Sequence, residues 1–93
     1  AKKVTPFDAA DYLTNEKAIA AYLNEALATG DTAFILHALG TVARAKGVSK
    51  IARQAGVTRE SLYRSFSKTG NPEFGTVMKS LKAMGIELHA EPA

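Results

Sequence analysis

The sequence predicts an all-α domain of five short helices, with a helix-turn-helix between Val48 and Ser67 and a short C-terminal strand or extended tail. Three observations predict it. Apolar residues recur at three- and four-residue steps in separate blocks. Capping residues and glycines bound those blocks at helix length. Ile86-Glu87-Leu88-His89-Ala90 alternates apolar and polar residues, the period of a strand. At 93 residues the chain is expected to be a single domain, 1–93, with 1–13 as an N-terminal extension.

Taken in order, Phe7 to Leu13 suits a turn of helix behind a loose terminus. The first strong helix spans Asn15 to Ala28, with Thr14 as N-cap and Ile19, Tyr22, Leu23, Ala26 and Leu27 as its apolar face. Gly30 ends it. Asp31 caps a second helix, Thr32 to Lys46, whose stripe is Phe34, Ile35, Ala38, Leu39 and Val42. Its last turn is basic, as the helix dipole favours, and Gly47 closes it. Ser49 caps a third, short helix ending at Ala55-Gly56, and Thr58 caps a fourth that runs to Ser67. Asn71-Pro72 starts a fifth helix, with proline at the first position, where its missing N–H costs nothing. That helix carries Phe74, Val77, Met78, Leu81 and Met84 and stops at Gly85.

Composition excludes several classes of function. The chain has no cysteine, so disulfides, thiolate zinc sites and cysteine nucleophiles are ruled out. It has no apolar run near the roughly 18 residues of a membrane span. The lysines of its N-terminus precede no apolar stretch, so no signal peptide is expected. A soluble, cytoplasmic and nucleoid-associated protein is the expectation, with no membrane partner. His37 and His89 stand far apart without ligand-spaced companions, and Asp8 and Asp11 read as caps rather than a catalytic pair. Ser61 and Ser65 have no local base, and no glycine-rich phosphate loop is present. Neither an enzyme nor a metal or other cofactor is expected.

The charge is unevenly spread. Between Arg44 and Lys68 stand seven positive side chains and one negative, Glu60, whereas the segments on either side are net acidic. Concentrated positive charge of this kind is the footprint of a face that binds a polyanion.

The same segment carries the helix-turn-helix pattern. Two helices that cross at a tight turn need a small residue on the first, Ala52, and a residue tolerant of positive φ between them, Gly56. Ile51, Ala55, Val57, Leu62 and Phe66 then pin both helices to the core. With those positions buried, the fourth helix must present Arg59, Glu60, Tyr63 and Arg64 to solvent. That composition suits base edges in a major groove. Ser49, Lys50, Arg53, Thr58 and Lys68 flank it as candidate phosphate contacts, which position a protein without specifying sequence. The expected partner is double-stranded DNA. A homodimer is expected too, because one such helix spans only a few base pairs; the fifth helix or the Ile86–Ala90 strand would supply the two-fold interface.

Pro6-Phe7-Asp8, Tyr22-Leu23-Asn24-Glu25-Ala26, Gly30-Asp31, Ala38-Leu39-Gly40, Arg44-Ala45-Lys46-Gly47, the run Gly56 to Tyr63 and Gly70-Asn71-Pro72 also stand in a familiar order. As a set, from Pro6 to Leu88, they resemble the probable addiction-module antidote proteins, HigA-like antitoxins with a helix-turn-helix of the lambda Cro and repressor (Xre) class. The resemblance implies a lambda-repressor-like DNA-binding domain whose motif covers Ser49 to Ser67. It further implies a bacterial antitoxin that binds a cognate toxin similar to the RelE/HigB ribonucleases and represses their shared promoter. Toxin contact falls by elimination on the N-terminal segment, Lys2 to Leu13. Two other readings stay open: a free-standing, phage-type transcriptional repressor, and a protein-interaction module that keeps the motif only as scaffold.

Overall fold

The computed structural model describes residues 8–93, and these are all-helical. A 3-10 turn at Ala9–Tyr12 precedes five α-helices: α1 (Glu16–Ala28), α2 (Thr32–Lys46), α3 (Val48–Ala55), α4 (Arg59–Ser65) and α5 (Phe74–Met84). The turn expected before Leu13 is therefore present, with Asp8 Oδ1 accepting from the Ala10 N–H. The looseness expected of the extreme terminus concerns residues outside those described.

Local chemistry sets most boundaries. Asn15 rather than Thr14 caps α1: its Oδ1 accepts the Ala18 N–H at 2.8 Å. Asp31 caps α2 through the Phe34 N–H, as expected, and Thr58 caps α4 through the Ser61 N–H. Ser49 does not cap α3. The chain passes from α2 to α3 on the single residue Gly47, at φ +101°, which leaves no room for a separate cap and puts Ser49 in the first turn. α4 ends at Ser65 instead of Ser67, because Phe66 turns into the core and Ser67–Gly70 closes its own turn through Gly70 N–H to the Ser67 carbonyl. α5 starts after Pro72 rather than at it; its first helical bond runs from the Val77 N–H to the Glu73 carbonyl.

No strand forms at Ile86–Ala90. A lone strand has no ladder to join, and no second strand exists among the described residues. Instead the Ile86 N–H bonds to the Leu81 carbonyl, Ile86 packs on the core, and Glu87, Leu88 and His89 are exposed.

One core joins the helices. Ile19, Leu23 and Ala26 of α1, Leu36, Ala38, Leu39, Val42 and Ala43 of α2, Ile51 and Ala52 of α3, Leu62 and Phe66, and Leu81 and Met84 of α5 are all buried in it. α2 touches every other helix, and α3 packs against α5 and α4. The expected stripes drift at their edges: Leu27 and Phe34 are exposed, while Leu36, off the predicted stripe, is buried. The buried hydroxyls of Thr41 and Ser80 donate to the carbonyls of His37 and Thr76 one turn back, so the core holds no unpaired side-chain polar atom among the described residues.

Candidate nucleic-acid interface

The α3–α4 pair begins from its bend. Gly56 takes the left-handed conformation, φ +77° and ψ +27°. Its N–H bonds to the Arg53 carbonyl and that of Val57 to the Ala52 carbonyl, so the last turn of α3 is closed by the doubled bond typical of a glycine stop. Thr58 then starts α4 at once. Ile51, Ala52, Ala55 and Leu62 are buried on the inner side of the bend, and Val57 is half-buried against the core.

With the inner side filled, the outer side follows from helical geometry. Residues 59, 60, 63 and 64 lie one to five positions apart, on one broad face of α4. All four are exposed, and so are Ser49, Lys50, Arg53, Thr58 and Lys68. All nine residues expected at the interface therefore stand in solvent on α3, α4 and the loop that follows.

The cations on this face are not spent on the protein's own acids. Among the described residues, no carboxylate lies within ion-pair distance of Lys50, Arg53, Arg59, Arg64 or Lys68. Arg59 instead bridges the two helices, donating from Nη1 to Ser49 Oγ at 3.3 Å while its guanidinium stands 5.6 Å from the centre of the Tyr63 ring. That stacking holds a donor-rich plane beside an aromatic hydroxyl without neutralising its charge.

Two other cations of the basic segment are paired, which the sequence did not reveal. Arg44 Nη2 donates to Asp8 Oδ1 at 3.0 Å, and Lys46 Nζ to Glu16 Oε2 at 2.9 Å. These partners stand 36 and 30 residues apart, so no local pattern announces them. Both acids are held below the usual carboxylate range: Asp8 first by the Ala10 N–H and then by Arg44, Glu16 first by Lys46. Of the basic segment's cations, those left without an ion-pair partner among the described residues are therefore the five of α3, α4 and Lys68; outside it Lys17, Lys79 and Lys82 are exposed as well.

The remaining candidates stay apart. His37 lines a small hollow of about 50 Å³ with Arg44, Tyr63 and Phe66, and His89 meets only Glu87 across 3.3 Å of open surface. No group of three His, Cys, Asp or Glu able to hold a metal ion occurs among the described residues. Among the described residues no helix is long and apolar enough to cross a membrane.

Comparison with known proteins places the chain in a family. The family described as probable addiction module antidote protein matches residues 3–92 of the chain. A protein of Haemophilus influenzae to which no function is attached is 47% identical over 90 residues, covering 97% of this chain and 93% of that protein. No solved structure matches the chain.

Proposed function

The chain belongs to the probable addiction module antidote family, and from that premise we propose that it is an antitoxin which binds duplex DNA through α3 and α4 and represses its own promoter. In this reading α3–α4 is a helix-turn-helix of the lambda-repressor type, and α4 enters the major groove. Arg59, Glu60, Tyr63 and Arg64 face the base edges; Ser49, Lys50, Arg53, Thr58 and Lys68 meet phosphates. The observation that carries it is the exposed set Lys50, Arg53, Arg59 and Arg64 on two short helices joined at a glycine bend, continued by Lys68 in the loop that follows, with no carboxylate of the described residues within ion-pair distance of any of them. Five such cations between residues 50 and 68 are a denser positive surface than the scattered Lys17, Lys79 and Lys82 make elsewhere among the described residues. The protein is read as a binding protein without catalytic activity. Its second partner is the toxin implied by the family, of the RelE/HigB kind.

A homodimer completes the proposal. Phe74 is 71% exposed and Met78, one turn on, 40%. Such an apolar pair on one helix face is what a second copy would cover, so the two-fold is assigned to α5.

Titration of a labelled duplex pool tests the DNA reading. A protein that neutralises several phosphates should lose orders of magnitude in affinity between about 50 and 200 mM salt, linearly in log concentration. Binding to the toxin with no duplex binding at low salt would instead favour the scaffold-only reading. Duplex binding in the absence of any toxin-like reading frame beside the gene would favour a free-standing repressor.

A further inference from the structure

The basic face of α4 is explained by the proposed function, but the seat on which α4 rests is not, and two glycines define it. Gly40 lies in the interior of α2, a place where glycine is destabilising relative to alanine. No left-handed backbone demands it, since its φ is not positive. What demands it is space: a Cβ there would lie 2.6 Å from the main-chain oxygen of Phe66, the residue that closes α4. Gly70 approaches the same end from the other side. A Cβ on Gly70 would lie 2.6 Å from the Arg64 carbonyl oxygen and closer still to that of Ser65. In each case the obstructing atoms are backbone, which cannot swing aside as the end of a side chain can.

We propose that Gly40 and Gly70 are positioning residues that clamp the C-terminal turn of α4 and thereby set the angle at which Arg59, Tyr63 and Arg64 are presented. The inference rests on the reading of α4 as the helix that meets DNA, and it deepens that reading by naming what aims the helix. The lever is short. Seven residues make α4 only about 10 Å long, and its other end is tied at Thr58 and the Gly56 bend. Relieving the 2.6 Å contact of a Gly40 Cβ at its C-terminus requires a displacement of somewhat under 1 Å, which tilts so short a rod by roughly five degrees, and the closer approach at Gly70 requires more. Donor–acceptor distances in a side chain–base contact tolerate only about 0.5 Å. Phosphate contacts made by long, flexible lysines tolerate far more. Sequence discrimination should therefore fail before general DNA affinity does.

The test uses the full chain with Gly40→Ala, Gly70→Ala and, as control, Gly30→Ala, where an added Cβ strains a left-handed backbone (φ +68°) but meets no atom within 4 Å. The probes are a duplex carrying the sequence that the wild type selects from a randomised pool and a scrambled duplex of equal length. Gly40→Ala and Gly70→Ala are expected to melt cooperatively and to bind scrambled duplex with unchanged affinity and salt slope. Both should lose tenfold or more on the selected duplex, and Gly30→Ala should lose nothing. Amide resonances of Arg59 to Ser65 should move in both variants while those of α1 stay in place. Unchanged α4 resonances would overturn the clamp without any reference to DNA. So would undiminished discrimination, or equal losses on both duplexes. If Gly40→Ala does not fold, Gly70→Ala, outside every helix, carries the test; if neither melts cooperatively, the glycines serve packing and the positioning role is refuted. A wild type that selects no sequence fails the DNA reading instead, and the α4 resonances then decide the clamp alone.

Discussion

At the scale of single residues, the exposed side chains of α3 and α4 divide by chemistry. An arginine offers a planar fork that can pair with a guanine edge; a lysine is a point charge on a flexible stem. Arg64 stands on the outer face of α4 and Lys50 in the first turn of α3. Under the proposed function, Arg64→Ala should cost roughly 1–3 kcal/mol on the selected duplex and relax its sequence preference. Lys50→Ala should weaken all duplexes alike and reduce the salt slope by about one. Fluorescence titrations of both variants on selected and scrambled DNA read the difference, and equal losses everywhere would dissolve the division of labour. The identity and exposure of these residues were legible in the sequence, because burying Ile51, Ala52 and Leu62 leaves 59, 60, 63 and 64 no other direction. The bridge from Arg59 to Ser49 was not, because it depends on how the two helices cross.

At the scale of elements, the caps show how far local rules reach. Asp31 and Thr58 cap as their residue types suggest, since each has a free N–H two or three residues ahead and nothing competing for it. Ser49 fails as a cap because the α2–α3 junction is a single glycine, and the number of residues in a junction is a matter of where two helices must lie. The 3-10 turn is likewise tied to the rest by a contact no local pattern carries. Asp8 and Glu16 hold the C-terminal turn of α2 through Arg44 and Lys46. Both carboxylates have folded values lowered below their unfolded ones. Their contribution to stability is therefore fully present above the ordinary carboxylate range, about pH 4 to 4.5. It is lost as pH falls through the lowered folded values. Thermal melts of wild type and the Asp8→Asn, Glu16→Gln double variant should thus differ at pH 6 and converge as the pH falls below the ordinary carboxylate range. A difference that grows as the pH is lowered would contradict the assignment. Both pairs are open to solvent, so salt should shrink the pH 6 difference as well.

At the scale of the whole molecule, the densest exposed positive charge and the exposed apolar pair lie on different helices. Five cations without an ion-pair partner gather on α3, α4 and Lys68, while Phe74 and Met78 sit with Lys79 and Lys82 on α5, which packs on α3. A second copy joined through α5 would leave both α4 helices free, the arrangement a two-fold DNA site needs. Phe74→Glu should convert a dimer into a monomer by sedimentation velocity at tens of micromolar protein, with little change in thermal stability because Phe74 contributes little to the core. A wild type that is already monomeric there, or a variant that still dimerises, would remove α5 from the interface.

The helical class, the number of helices and the outward side of α4 are all written in the sequence. Each of these follows from apolar spacing, capping chemistry and a left-handed glycine, all of which act within a few residues. That Arg44 and Lys46 are neutralised while Lys50 and Arg53 are not, that Ile86–Ala90 forms no strand, and that Gly40 and Gly70 close on the end of α4 emerge only in the folded arrangement. One cause underlies all three. Ion pairing, strand pairing and backbone approach are relations between segments distant along the chain, and they exist only once the core has brought those segments together.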